Sequence, residues 1–219
     1  MSFVKIVIDG KEVSAGEGMT ILQVAEREGI AIPTLCHSPD LKPIGVCRLC
    51  VVEVEGARTL VGSCHTPIAE GMVIQTRSPK VLSVRRATVE LLLTEHTGSC
   101  VNDVSARNCS LHRLASDLEV GPPRFQVRQP RFYPVEDANP YVRRDLSKCI
   151  LCRKCVSACA EIAGKQVLSV GYRGFRSKII VDFDDPLRTE ACRDCGVCID
   201  YCPTGALARP ASREVEGAV

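Results

Sequence analysis

The sequence has no tryptophan, and only 4% of its residues are aromatic. Each hydrophobic core must therefore be thin, and small domains with thin cores commonly need staples. No excess of either charge exists: 28 Lys and Arg stand against 26 Asp and Glu. That balance gives no reason to expect nucleic acid or an anionic membrane surface as a partner. No run approaches the roughly 18 apolar residues of a membrane span, so no membrane insertion is expected. The start, Met1-Ser2-Phe3-Val4-Lys5, alternates apolar and polar residues and lacks the form of a secretory signal. No G-x-G-x-x-G opens a helix after a strand, and no P-loop is present, so no dinucleotide or nucleotide site is legible. Gly171-Tyr172-Arg173-Gly174 does not fit either pattern. No nucleophile–base pair or carboxylate pair stands out, and no catalytic residue is assigned.

What the chain has in abundance is cysteine, 14 in 219 residues. A cytoplasmic, reducing location is expected, and there so many thiols point to metal rather than to disulfides. The length favours two small domains over one large one.

The first part reads as a small α+β module. Phe3 to Asp9 predicts a strand with a turn at Gly10-Lys11. Thr20-Ile21-Leu22-Gln23 fits a capping box opening a helix that Gly29 stops. Val51, Val52 and Val54 predict a strand, Gly56 a turn, and Thr59 to Val61 the returning strand. Ser78-Pro79 opens a second helix running to about Glu95 and delivering His96 at its end. Its buried face is expected to comprise Val81, Leu82, Val84, Val89, Leu91 and Leu92. Prolines 122, 123, 130, 134 and 140 then mark an extended linker at 121–140. It carries Arg124, Arg128 and Arg131, and a solvated linker is favoured over a basic strap for a partner. Leu168, Val170 and Tyr172 with Ile179, Val181 and Phe183 predict a hairpin. The tail at 209–219 has little to bury.

The strongest signal is a repeat. Cys149-x2-Cys152-x2-Cys155-x3-Cys159 recurs as Cys192-x2-Cys195-x2-Cys198-x3-Cys202. In this bacterial ferredoxin pattern three cysteines hold one cubane and the fourth ligates the other. One [4Fe–4S] cluster is thereby expected on Cys149, Cys152, Cys155 and Cys202, and another on Cys192, Cys195, Cys198 and Cys159. Pro203 follows the second motif as the pattern expects, while Ala160 stands at that place in the first. Two zinc sites are the competing reading, but zinc motifs do not need this doubled four-cysteine spacing.

Nearer the start, Cys36-x10-Cys47-x2-Cys50-x13-Cys64 keeps the C-x2-C core of plant-type [2Fe–2S] ferredoxins with a longer first gap. With a strand-rich module around it, a β-grasp [2Fe–2S] domain is expected. His37 and His65 each follow one of these cysteines, but Rieske ligation is not needed where four cysteines suffice.

Between these sets stands His96-x3-Cys100-x2-Asp103-x5-Cys109. Together with the N-terminal spacing, it resembles the large iron–sulfur subunit of respiratory NADH dehydrogenase (complex I). It is also similar to the N-terminal region of iron-only hydrogenases and NAD-linked formate dehydrogenases, and to the diaphorase small subunit of NAD-reducing hydrogenases. The resemblance covers about residues 1–205 and implies a further [4Fe–4S] cluster on His96, Cys100 and Cys109. Asp103 stands where the family has cysteine. Either its carboxylate ligates iron, the favoured reading, or the cluster has been lost; a [3Fe–4S] form is a third possibility.

The expected architecture is α+β. It comprises a β-grasp [2Fe–2S] domain at 1–78, a helical His/Cys/Asp cluster segment at 79–120, the linker at 121–140, a bacterial-type 2[4Fe–4S] ferredoxin domain at 141–208 and the tail. The expected function is that of a non-catalytic subunit relaying electrons through iron bound by these residues. By resemblance its partners are a flavin-containing NAD(P)(H)-binding subunit and a catalytic subunit of hydrogenase or formate dehydrogenase type. No catalytic metal domain is expected after the repeat, in keeping with a relay. The alternative is a stand-alone multicluster ferredoxin, a diffusible carrier.

Overall fold

The computed structural model describes residues 2–96, 109–125, 133–136, 139–181, 184 and 190–210. It divides into two compact units: Met1–Thr94 with Leu111–Gln126, and Glu95–Ser110 with Val127–Val219.

In the first unit, β1 (Phe3–Ile8) and β2 (Lys11–Gly16) form an antiparallel hairpin with Phe3 opposite Gly16. The turn needs positive φ at two adjacent positions, +50° at Asp9 and +83° at Gly10, which these two residues tolerate best. α1 (Ile21–Arg27) starts as expected at Thr20, where the Thr20 hydroxyl accepts from the Gln23 N–H and the Gln23 side chain accepts from the Thr20 N–H. β3 (Val51–Val54), β4 (Val61–Gly62) and β5 (Val73–Gln75) complete a five-stranded mixed sheet in the order β2-β1-β5-β3-β4. The returning strand is shorter and later than the expected 59–61, because residues 57–60 are used to complete the turn after Gly56.

The buried set of this unit includes Ile6, Ile8, Ile21, Leu22, Val24, Val52 and Ile74, and it extends to Cys50 and Cys64. Each large aliphatic side chain so buried contributes about 1.5–3 kcal/mol. The cysteines thus stand at the edge of an aliphatic core.

α2 (Pro79–Glu95) has the expected start, with the Val81 N–H donating to Ser78 Oγ at 3.3 Å. Its buried face is the expected one only in part. Val81, Arg85, Val89 and Glu90 are buried, whereas Val84 and Leu91 are 38% and 53% exposed. The helix turns an i, i+4 stripe inward that includes a charge, so apolarity alone misplaces the face. Glu90 receives a fork from Arg124, at 2.9 Å from Nε and 2.8 Å from Nη2, and also accepts the Arg124 main-chain N–H. This draws the start of the proline-rich stretch onto the helix. α3 (Ser110–Asp117) follows, with Leu111 and Ala115 buried.

The second unit is built from short pieces. β6 (Arg143–Arg144) pairs antiparallel with β9 (Leu207–Ala208). β7 (Leu168–Gly171) pairs antiparallel with β8 (Lys178–Val181), at the expected hairpin. α4 (Lys154–Ser157) and α5 (Val197–Asp200) are single turns, one inside each cysteine motif. The buried set is small: Val142, Leu146, Leu168, Ile179, Val181 and Leu207, together with Cys155 and Cys159. Arg144 is 2% exposed and is held by a fork to Glu136. No helix among the described residues is long and apolar enough to cross a membrane.

Candidate iron–sulfur sites

In the first unit, the loop after α1 and the strands β3 and β4 bring four thiols together, all buried and none in a disulfide. They meet as two pairs. Cys36 hydrogen-bonds Cys47, and Cys50 hydrogen-bonds Cys64. Within each pair that bond pulls one thiol down, Cys47 to about 5 and Cys50 to about 6, and pushes its partner up. The Cys47 N–H also reaches Cys36 Sγ at 3.4 Å. The loop achieves this by left-handed turns at Gly45 and Arg48, with φ of +72° and +56°. His65 Nδ1 lies 3.4 Å from Cys64 Sγ, and its ring fills the space a Cβ on Gly62 would need. His37 Nδ1 is buried without a hydrogen-bond partner among the described residues.

The second unit holds two cysteine-lined cavities. One is lined by Cys149, Cys152, Cys155 and Cys202, the other by Cys159, Cys192, Cys195 and Cys198. Each cavity thus gathers three cysteines from one motif and the last cysteine of the other. Burial pushes the Cys152 and Cys198 thiols up to about 12 and raises Cys155 as well, with neighbouring thiols of the same cavity adding to each. Neutral thiols are the cheap state there, so ionised sulfur requires a cation to compensate it.

The two motifs share one backbone form. Left-handed residues occur at Leu151 and Arg153 in the first and at Asp194 and Gly196 in the second, the same positions counted from the leading cysteine. Alternating hand turns successive N–H groups toward one concave side, an arrangement suited to an anionic core. The N–H groups of Leu151 and Val167 reach the sulfurs of Cys149 and Cys159 at 3.4 and 3.2 Å. Cys159 itself sits in a π-helical turn, Ala158–Ile162, which widens the chain at that thiol.

Of the middle set, Cys100 and Asp103 lie outside the described residues. His96 and Cys109 are both buried, with Cys109 Sγ 3.8 Å from His96 Nε2. The Ser110 N–H donates to the Pro203 carbonyl at 2.8 Å, which ties Cys109 to the end of the second motif.

Arg85, beside the first of these sites, was not singled out in the sequence. Arg85 donates to the carbonyls of Leu49 and Val51, on either side of Cys50. The available signal was its place between Val81 and Val89 at i±4 on an inward stripe.

Comparison with known proteins agrees with this layout. Residues 2–79 match a 2Fe-2S iron-sulfur cluster binding domain, and residues 139–208 match the ferredoxin-like domain of NADH-quinone oxidoreductase subunit 3. The NADP-reducing hydrogenase subunit HndD of Solidesulfovibrio fructosivorans is 39% identical over 94% of this chain and 36% of its own length. An NADH-quinone oxidoreductase subunit of Rhizobium meliloti is 33% identical over 93% of this chain and 24% of its own. The chain therefore spans only about a third or a quarter of these relatives. A crystal structure of an NAD+-reducing [NiFe]-hydrogenase aligns with a TM-score of 0.83 at 29% identity, covering 95% of this chain and 88% of that one. The chain joins an N-terminal 2Fe-2S domain to a subunit-3-type ferredoxin-like domain, and over nearly its whole length it is similar to subunits of NAD(P)-linked hydrogenases and NADH-quinone oxidoreductases.

Proposed function

We propose that the chain is an electron relay in a multisubunit NAD(P)-linked oxidoreductase. The observation that carries this reading is the sorting of twelve thiols into three groups of four, two of them crossing between motifs. Cys36 with Cys47 and Cys50 with Cys64 would each hold one iron of a [2Fe–2S] centre, which needs two thiolates per iron. Cys149, Cys152, Cys155 and Cys202 would hold one [4Fe–4S] cluster, and Cys192, Cys195, Cys198 and Cys159 a second. His96, Cys100, Asp103 and Cys109 would hold a third. These clusters supply one-electron chemistry when bound. The protein residues provide soft donors, N–H groups aimed at sulfur and walls that exclude water.

A row of such centres shortens each tunnelling step, and tunnelling falls steeply with distance. The relatives named as hydrogenase and NADH-quinone oxidoreductase subunits support a docked subunit over a diffusible carrier. Its partners would be a flavin-containing NAD(P)(H)-binding subunit and a catalytic metalloenzyme subunit. Anaerobic purification from the native source tests this. The expected result is co-elution with a flavoprotein and reduction of the chain's clusters by NADH or NADPH only when that flavoprotein is present. Isolation as a brown, stable monomer reduced equally well without it would replace the relay subunit by a free ferredoxin.

A further inference from the structure

Arg85 occupies a position that cations seldom take. Its side chain is 2% exposed, in the inward stripe of α2 between Val81 and Val89. Nε donates to the Leu49 carbonyl at 3.0 Å and Nη2 to the Val51 carbonyl at 2.8 Å. These carbonyls belong to the residues before and after Cys50, so one planar fork grips the chain on both sides of that thiol.

Burial lowers the Arg85 pKa to about 10, against the opposing pull of Cys50, so the group stays charged near neutral pH. The opposite charges acting on it are Cys50 and, more weakly, Asp9. A carbonyl fork fixes geometry but does not neutralise a cation, and a buried cation without a compensating anion is costly. A [2Fe–2S] centre on the neighbouring cysteines would supply such an anion. Apolar Leu or Met would fill the same stripe at no such cost, so packing alone gives no reason for the arginine.

We propose that Arg85 is a positioning residue for the [2Fe–2S] centre, locking the Cys47–Cys50 loop and placing a buried positive charge beside Cys50 that favours the reduced cluster. The inference rests on the reading of Cys36, Cys47, Cys50 and Cys64 as ligands of that centre. The step concerned is a one-electron reduction: one ferric ion becomes ferrous, no bond to the protein breaks, and the cluster gains one negative charge. A fixed cation stabilises the product of that step more than the reactant. Lysine would keep the charge and lose the fork; glutamine would lose the charge.

The test is a potentiometric titration of the full chain with all clusters loaded, using dithionite as reductant and EPR as readout. Wild type, Arg85→Gln and Arg85→Lys are compared, with the [4Fe–4S] signals of the same samples as internal controls. In Arg85→Gln the ratio of reduced to oxidised [2Fe–2S] at a fixed potential is expected to fall about tenfold, a midpoint shift of about 59 mV for one electron. Arg85→Lys is expected to stay within about threefold of wild type with altered g-anisotropy, and the [4Fe–4S] midpoints to stay put. A wild-type [2Fe–2S] midpoint in Arg85→Gln overturns the proposal. If Arg85→Gln does not retain the centre, the lysine variant decides: a midpoint near wild type supports the proposal, and a tenfold loss with the charge still present overturns it. Loss of the centre from both variants reduces Arg85 to a structural clamp and also overturns it. Absence of a [2Fe–2S] signal in the wild type itself overturns the ligand reading instead, and the proposal with it.

Discussion

The Nδ1 atom of His96 lies 3.0 Å from the main-chain oxygen of Lys148, the residue preceding Cys149. A carbonyl only accepts, so Nδ1 carries the proton and Nε2 is the ring nitrogen suited to act as a metal ligand. Nε2 is the ring atom that faces Cys109 Sγ, at 3.8 Å. The bond thereby fixes the ring orientation needed by one site from the backbone leading into the next. Replacing His96 by alanine is expected to remove one cluster's complement of iron and its EPR signal, leaving the [2Fe–2S] signal and the ferredoxin-repeat clusters in place. Unchanged iron content in His96→Ala would remove this residue as a ligand.

As a ligand, Asp103 would be a harder donor than a thiolate and would make its corner of the proposed cluster the most labile. Asp103→Ala is expected to lower iron content and to alter the Mössbauer spectrum of that centre alone. Asp103→Cys is expected to hold the same iron against a chelator that strips the wild type. Spectra and iron content identical to wild type in Asp103→Ala would exclude carboxylate ligation.

The crossing of the cysteine motifs gives a paired prediction. Cys202 lines the cavity of Cys149, Cys152 and Cys155, and Cys159 lines that of Cys192, Cys195 and Cys198. Cys202→Ala is therefore expected to perturb the cluster of the first motif, and Cys159→Ala that of the second, each sparing the other by EPR. The opposite assignment, each substitution damaging the cluster of its own motif, would refute the crossed ligation.

Iron removal is expected to affect the two units unequally. The first has an aliphatic core of its own around Ile6, Leu22, Val24 and Ile74, while the second packs few large apolar side chains besides its cysteines. Chelation under reducing conditions, followed by hydrogen exchange, is expected to lose protection in β6 to β9 while β1 and β2 retain most of theirs. Uniform loss across both units, or none in either, would count against clusters as the staple of the second unit.

Much of this was readable from the residues. The capping box at Thr20 and the Ser78-Pro79 helix start depend on neighbours within one turn, so local chemistry determined them. The cysteine spacing likewise carried its partners with it, because a tight loop around a cubane corner admits few separations. What stayed hidden depends on distant partners. Nothing near Arg85 in sequence marks its role, because the carbonyls it binds, those of Leu49 and Val51, lie more than thirty positions earlier. Arg124 reads as part of a solvated linker until Glu90 is found beneath it, and the parallel pairing of β1 with β5 has no local signature.

The most direct measurement of the central claim is a stepwise anaerobic titration of the full chain with dithionite, followed by low-temperature EPR and Mössbauer spectroscopy. A relay of the proposed composition is predicted to take up one electron at each of four centres and to show one [2Fe–2S] signal, with [4Fe–4S] signals broadened by spin coupling between neighbours. A colourless, zinc-containing protein that takes up no electrons would contradict it.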